Sequence, residues 1–174
     1  TVTLIVLDRG ASSRLAATFK PGEPVALMGP SGTAAHIPHN QTLLIVADRI
    51  GATGVRAIGP ALKAAGNKVL FFISFRNPGE VFCRDEFEQA CDEIVWVSLE
   101  GEIHPQRPQD RSYTGDVRDA LKAYANGKLS GSFKFEDMDR LYFMGGGCLV
   151  QRLREARHNE LKEKFAKNPP ATGS

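Results

Sequence analysis

Four runs of apolar residues constrain most strongly what this chain can fold into: TLLIVAD (42–48), KVLFFISF (68–75), DEIVWVS (92–98) and DRLYFMG (139–145). Each is apolar at consecutive positions rather than alternate ones, the pattern of a strand covered on both faces. The segments between and after them read as helices. GATGVRAIGPALKAAGN sets Val55, Ile58, Leu62 and Ala65 at helical spacing and stops at Gly66-Asn67. DEFEQAC is a short helix. GDVRDALKAYANG, capped by Thr114, aligns Val117, Leu121 and Tyr124 in one stripe, and CLVQRLREARHNELKEKFA makes a long charged helix. Strand and helix in alternation predict an α/β fold with a doubly wound, mostly parallel sheet. Ligands of such sheets lie beyond the carboxyl ends of the strands. Here those ends carry Asp48–Gly51, Arg76–Asn77, Ser98–Gly101 and Gly145–Gly147.

The segment before residue 41 differs. TVTLIVLD and VALMG read as strands, SRLAATF as a short helical turn with Ser12 or Ser13 as its cap, and FKPGEP as a turn. Gly-Pro punctuation around them suits the closing strands of a β-barrel. The expected organisation is therefore a β-rich segment over 1–40, an α/β domain over 41–167 and a linker-like tail over 168–174. An opening on Thr1 in mid-strand, with NPPATGS at the other end, leads to the expectation of a piece of a longer polypeptide.

Composition excludes several classes of function. A net charge of +2, with 24% charged residues, provides no basic stripe for nucleic acid. No apolar run approaches the roughly 18–20 residues that span a bilayer, and no signal peptide opens the chain. Three sparse cysteines, Cys83, Cys91 and Cys148, suit the reducing cytoplasm, and none forms the C-x-x-C spacing of a metal or iron–sulfur site. The four histidines are scattered, and no nucleophile–base order or close acid pair points to hydrolysis.

Three stretches carry candidate chemistry. LLIVADRIGATG (43–54) runs from a strand into a turn that keeps only Gly51 and Gly54 of what a pyrophosphate-binding loop requires. A strand–helix corner capped by Asp48 is as good a reading of this stretch alone. Gly145-Gly146-Gly147 follows the last strand and leaves room for a flat ligand; Cys148 beside it is read as a packing residue rather than a reactive thiolate. FISFRNPGEVFCRDEF ends its strand on a basic corner, Arg76 with Arg84 eight residues on, where an acidic residue would favour NAD. Two arginines there suit the 2′-phosphate of NADP(H); alternatively they are solvated, one of them pairing with Asp85 or Glu86.

In order and spacing these stretches resemble the ferredoxin–NADP reductase superfamily, and within it the electron-transfer subunits of dihydroorotate dehydrogenase and sulfide dehydrogenase type. VTLIVLDRGASSRLAATFKPGEPVALMGPSG is similar to the last strands of that family's flavin barrel, LLIVADRIGATG stands at its Gly-Gly-x-Gly-x-x-Pro loop, and LYFMGGGCLV stands at its Cys-Gly-Pro turn. Asp48 and Arg49 replace the loop's first two glycines, Gly54 its proline, Met144 the cysteine and Gly146 the second proline. The resemblance implies a domain that transfers electrons between NAD(P)H and FAD. It implies N–H groups of Gly51 and Ala52 near a pyrophosphate, Arg49 as a new phosphate contact, and Gly145, Gly146 and Gly147 facing the nicotinamide. Gly10 and Ser13 would touch FAD only with an upstream flavin domain. The implied partners are that flavin domain and an iron–sulfur or other electron-acceptor domain. A nucleotide-binding fold that has lost its cofactor and serves in docking or assembly is the alternative.

Overall fold

The computed structural model describes residues 2–8, 10–29, 31–159 and 161–165, with the side chains of 162 and 163 excepted. The expected tail over 168–174 lies outside the described residues. The chain divides into two units, Thr1–His36 and Ile37–Ser174.

The second unit is built on five parallel strands. β1 (Thr42–Asp48), β2 (Lys68–Phe75), β3 (Glu93–Ser98), β4 (Arg111–Thr114) and β5 (Arg140–Met144) lie in the order β4-β3-β2-β1-β5. All four predicted strands are present, three of them central and the fourth, β5, at one edge. The fifth, β4, is four half-buried or exposed residues, RSYT, at a sheet edge. With Tyr113 its one apolar residue, it lacks the apolar run that identifies the others. Among the described residues no helix is long and apolar enough to cross a membrane.

Because neighbouring side chains of a strand point to opposite faces, the apolar runs fill two cores. Leu43, Ile45, Phe71, Ile73, Ile94 and Trp96 pack with α2 (Ala52–Ala64) and α3 (Arg84–Ala90) on one face. Leu44, Val46, Leu70, Phe72, Val95 and Val97 pack with α4 (Val117–Ala125) and α5 (Gly147–Asn159) on the other. Of the predicted stripes, Val55 and Leu62 on α2 and Val117, Leu121 and Tyr124 on α4 are buried, whereas Ile58 is half-buried and Ala65 lies half-buried just past the end of α2. Asp116 rather than Thr114 caps α4: its carboxylate accepts the Arg118 N–H at 2.9 Å, while Thr114 ends β4. The long last helix stops at Asn159, and a 3-10 turn spans Lys162–Phe165.

The amino ends of the strands share one device. The Asx residue just before a strand accepts a backbone N–H from the start of the neighbouring strand. Asn67 takes Gln41 at 3.0 Å, Asp92 takes Val69 at 2.7 Å, Asp110 takes Ile94 at 2.9 Å and Asp139 takes Thr42 at 2.7 Å. Every adjacent pair in the sheet is pinned in this way, so register is set at the edge remote from the carboxyl ends.

In the first unit the helical turn α1 (Ala11–Ala16) is present. Its cap is Gly10, whose N–H donates to Ser13 Oγ at 2.9 Å, correcting the expectation of a serine cap. The strands expected over 1–8 and in VALMG are not formed among the described residues, and Val2, Leu4, Val6, Val25 and Leu27 are exposed. β-Propensity makes a strand only where a neighbouring segment completes the ladder.

Candidate functional site

The strand order reverses between β1 and β5. The chain steps from β1 outward to β4, then crosses the opposite face through α4 and returns on β1's other side. Two loops therefore meet at one carboxyl edge, 48–51 leading into α2 and 144–147 leading into α5. The positive ends of two 13-residue helices converge there.

The loops touch through glycine. A methyl at Gly51 would stand 2.0 Å from the Met144 carbonyl oxygen, so only glycine lets the β1 turn lie against the end of β5. Gly145 has φ +149, and a methyl there would lie 2.5 Å from an Asp48 oxygen. Gly147 is not required by space, since nothing lies within 4 Å of its added methyl. Gly145, Gly146 and Gly147 are all exposed, and Ala52 is buried beneath the turn.

Asp48 occupies the centre. Its Oδ1 accepts the Gly51 N–H at 2.7 Å and its Oδ2 the Gly146 N–H at 2.9 Å, bridging both loops. Each helix terminus favours this carboxylate by about 0.3–1 kcal/mol. Both sequence readings of Asp48 thus meet in one place, since the residue caps its own turn where a pyrophosphate-binding loop would present N–H groups.

The basic corner differs from expectation. Arg49 does not face the crevice as an available cation; its Nη1 lies 2.6 Å from Glu80 Oε1, and both side chains are about three-quarters buried. Glu80 Oε2 accepts the Arg76 N–H at 3.1 Å, and Arg76 Nε lies 3.1 Å from Glu100 Oε1. Arg84 lies with its guanidinium 4.5 Å from the Trp96 ring centroid, donates to the His104 carbonyl at 3.1 Å and stands 3.7 Å from Glu88. Neither arginine uses Asp85 or Glu86; Glu86 instead pairs with Arg56 at 3.5 Å. Glu80 and Glu100 escaped the sequence reading. The signal for Glu80 was its position four residues after Arg76, at the end of the 3-10 turn Pro78–Glu80, whose cap Asn77 accepts the Gly79 N–H at 3.0 Å.

Cys148 is exposed on α5, not packed as expected. Burial, and then the Glu86 carboxylate, push the Cys83 thiol up, and burial pushes Cys91 much further. In native protein a thiol reagent should label Cys148 first and Cys83 slowly, and Cys91 only on unfolding. Mass spectrometry of time points checks this order, and early labelling of Cys91 would contradict the buried position. Among the described residues no group of three or more His, Cys, Asp and Glu side chains is placed to hold a metal ion.

No protein-family model matches the chain. Its sequence is similar to the electron transfer subunit of dihydroorotate dehydrogenase B (NAD(+)) from Bacillus cereus, 26% identical over 163 residues, 92% of this chain and 55% of that protein. The subunit of the same name from Fusobacterium nucleatum is 29% identical over 128 residues, 72% of this chain and 47% of that one. The chain thus spans about half the length of these relatives. In fold it is similar to a chain of the NADH-dependent reduced ferredoxin-NADP oxidoreductase, with TM-score 0.65 and 19% identity over 87% of this chain and 49% of that one. The C-terminal domain of the PF1911 hydrogenase from Pyrococcus furiosus gives TM-score 0.51 and 22% identity, covering 78% and 94%. The sequence similarity to these subunits and the likeness in fold both agree with the resemblance to the ferredoxin–NADP reductase superfamily.

Proposed function

We propose that this chain supplies the pyridine-nucleotide domain of a flavin-linked electron-transfer protein, working between NAD(H) and a flavin held with the help of another domain. The observation that carries the reading is the glycine-built junction of loops 48–51 and 144–147 at the β1/β5 switch point, where two helix N-termini meet. The dihydroorotate dehydrogenase subunits that the chain resembles are named for NAD(+), which supports the same ligand class.

The corner beyond β2 supports NADH over the NADP(H) suggested by Arg76 and Arg84. Arg49 and Arg76 already have carboxylate partners in Glu80 and Glu100, and Arg84 is committed to Trp96 and His104. A 2′-phosphate would meet two carboxylates there, whereas a ribose hydroxyl could donate to one. The dinucleotide's diphosphate does not fit the crevice while Asp48 holds the Gly51 and Gly146 N–H groups. In the first unit the Gly10 N–H is taken by Ser13, so that N–H is not a ready contact to FAD.

Parallel equilibrium titrations with NADH and NADPH test the reading. NADH should bind several-fold more tightly, and Glu80→Gln should narrow the gap. An NADPH preference abolished by Arg76→Ala would restore the 2′-phosphate reading. Failure of both nucleotides to bind, in wild type and in Asp48→Ala, would remove the nucleotide function.

A further inference from the structure

The crevice at the switch point holds an anion of its own. Asp48 is the last residue of β1, and its backbone stays in register opposite Ser74 of β2. Its carboxylate reaches across to β5, one oxygen on the Gly51 N–H at 2.7 Å and the other on the Gly146 N–H at 2.9 Å. The β5 loop is shaped around that group: Gly145 takes φ +149, and any side chain there would lie within 2.5 Å of an Asp48 oxygen. The neighbouring charges offer no compensation, because Arg49 is held by Glu80 at 2.6 Å and Arg76 by Glu100 at 3.1 Å. Three carboxylates, Asp48, Glu80 and Glu100, thus face two guanidiniums along this edge.

We infer that Asp48 is an internal stand-in for a phosphate, a latch tying the β1 and β5 loops together that a dinucleotide's diphosphate must displace in order to bind. The inference rests on reading this crevice as the nucleotide site, and it specifies how that site is regulated. Two N–H donors, one from each helix start, are what an incoming phosphate would use, and the carboxylate both occupies them and repels a second anion. The backbone of Asp48 is fixed in the ladder, so release needs only rotation of its side chain away from β5. Ligands are then sorted by their anionic part. Adenosine is indifferent to the latch, whereas pyrophosphate and dinucleotides have to open it.

The test uses the full chain, wild type and Asp48→Ala, titrated calorimetrically with inorganic pyrophosphate, NADH and adenosine. Asp48→Ala should bind pyrophosphate and NADH at least tenfold more tightly, with adenosine unchanged. Equal affinity of the two proteins for pyrophosphate and for NADH overturns the latch and leaves the nucleotide reading standing if NADH saturates both. A gain for pyrophosphate with no NADH binding keeps Asp48 as a stand-in for a phosphate but removes the nucleotide reading, and with it the latch against dinucleotides. Should Asp48→Ala fail to fold, Asp48→Asn removes the charge at nearly constant shape. A several-fold gain for pyrophosphate is expected there, and no gain overturns the inference.

Discussion

Asp110→Ala should destabilise the second unit by about 3–5 kcal/mol, the cost of breaking a buried ion pair from one side. The Asp110 carboxylate is shielded from solvent, accepts the Ile94 N–H at 2.9 Å, and is gripped by Arg107 through Nη2 at 2.7 Å and Nε at 3.0 Å. Arg107 in turn donates to the carbonyls of Glu88 and Cys91 at the end of α3. Removing the carboxylate leaves a largely buried guanidinium without its counter-charge and the Ile94 N–H near the start of β3 without its partner. At this size the loss lowers the melting temperature by on the order of 10 °C. Trp96 is the chain's single tryptophan, fully buried on β3, so its emission during urea unfolding reads this unit alone. Asp110→Asn keeps the shape and should lose less. A loss under about 1 kcal/mol in Asp110→Ala would mean that Arg107 finds another partner.

Gly51→Ala should close the candidate site outright. The added methyl would stand 2.0 Å from the oxygen and 2.3 Å from the carbon of the Met144 carbonyl, backbone against backbone, so nothing flexible can yield. Either the β1 turn or the end of β5 has to move, at about 1–3 kcal/mol of overpacking. The separation that lets Asp48 span Gly51 and Gly146 moves with it. Gly54→Ala is the matched control. Its methyl meets only the Met144 side-chain sulfur at 3.2 Å, an adaptable group, and it replaces glycine by the better helix former inside α2. The expected pattern is lost NADH and pyrophosphate binding with reduced urea stability in Gly51→Ala, against near-wild-type behaviour in Gly54→Ala. Equal behaviour of the two would show that the loops slide without cost.

The central strands were legible because burial on both faces leaves an unbroken apolar run, and LLIVA and VLFFI admit little else. β4 was not, because an edge strand of four residues carries the same polar letters as a loop. Asp48 was visible in sequence as a cap and as a misfit for phosphate. Its bond to Gly146 was not, because the partner is 98 residues away and becomes a neighbour only through the crossover to β5. Arg84 was read by its charge alone; the Trp96 ring that takes it lies on another strand. The carboxylates of Glu80 and Glu100 were passed over because pairing across strand ends depends on the sheet order, which local pattern does not contain.

The Asx pins at the amino ends of the strands divide the sheet between inheritance and change. Asn67, Asp92, Asp110 and Asp139 fix the alignment of every neighbouring pair before the chain reaches its carboxyl edge. Substitutions at that far edge therefore do not have to preserve alignment, and are limited by local space instead, as at Gly51. A glycine loop can acquire an aspartate there, and later lose it, while the scaffold carries no record of either event.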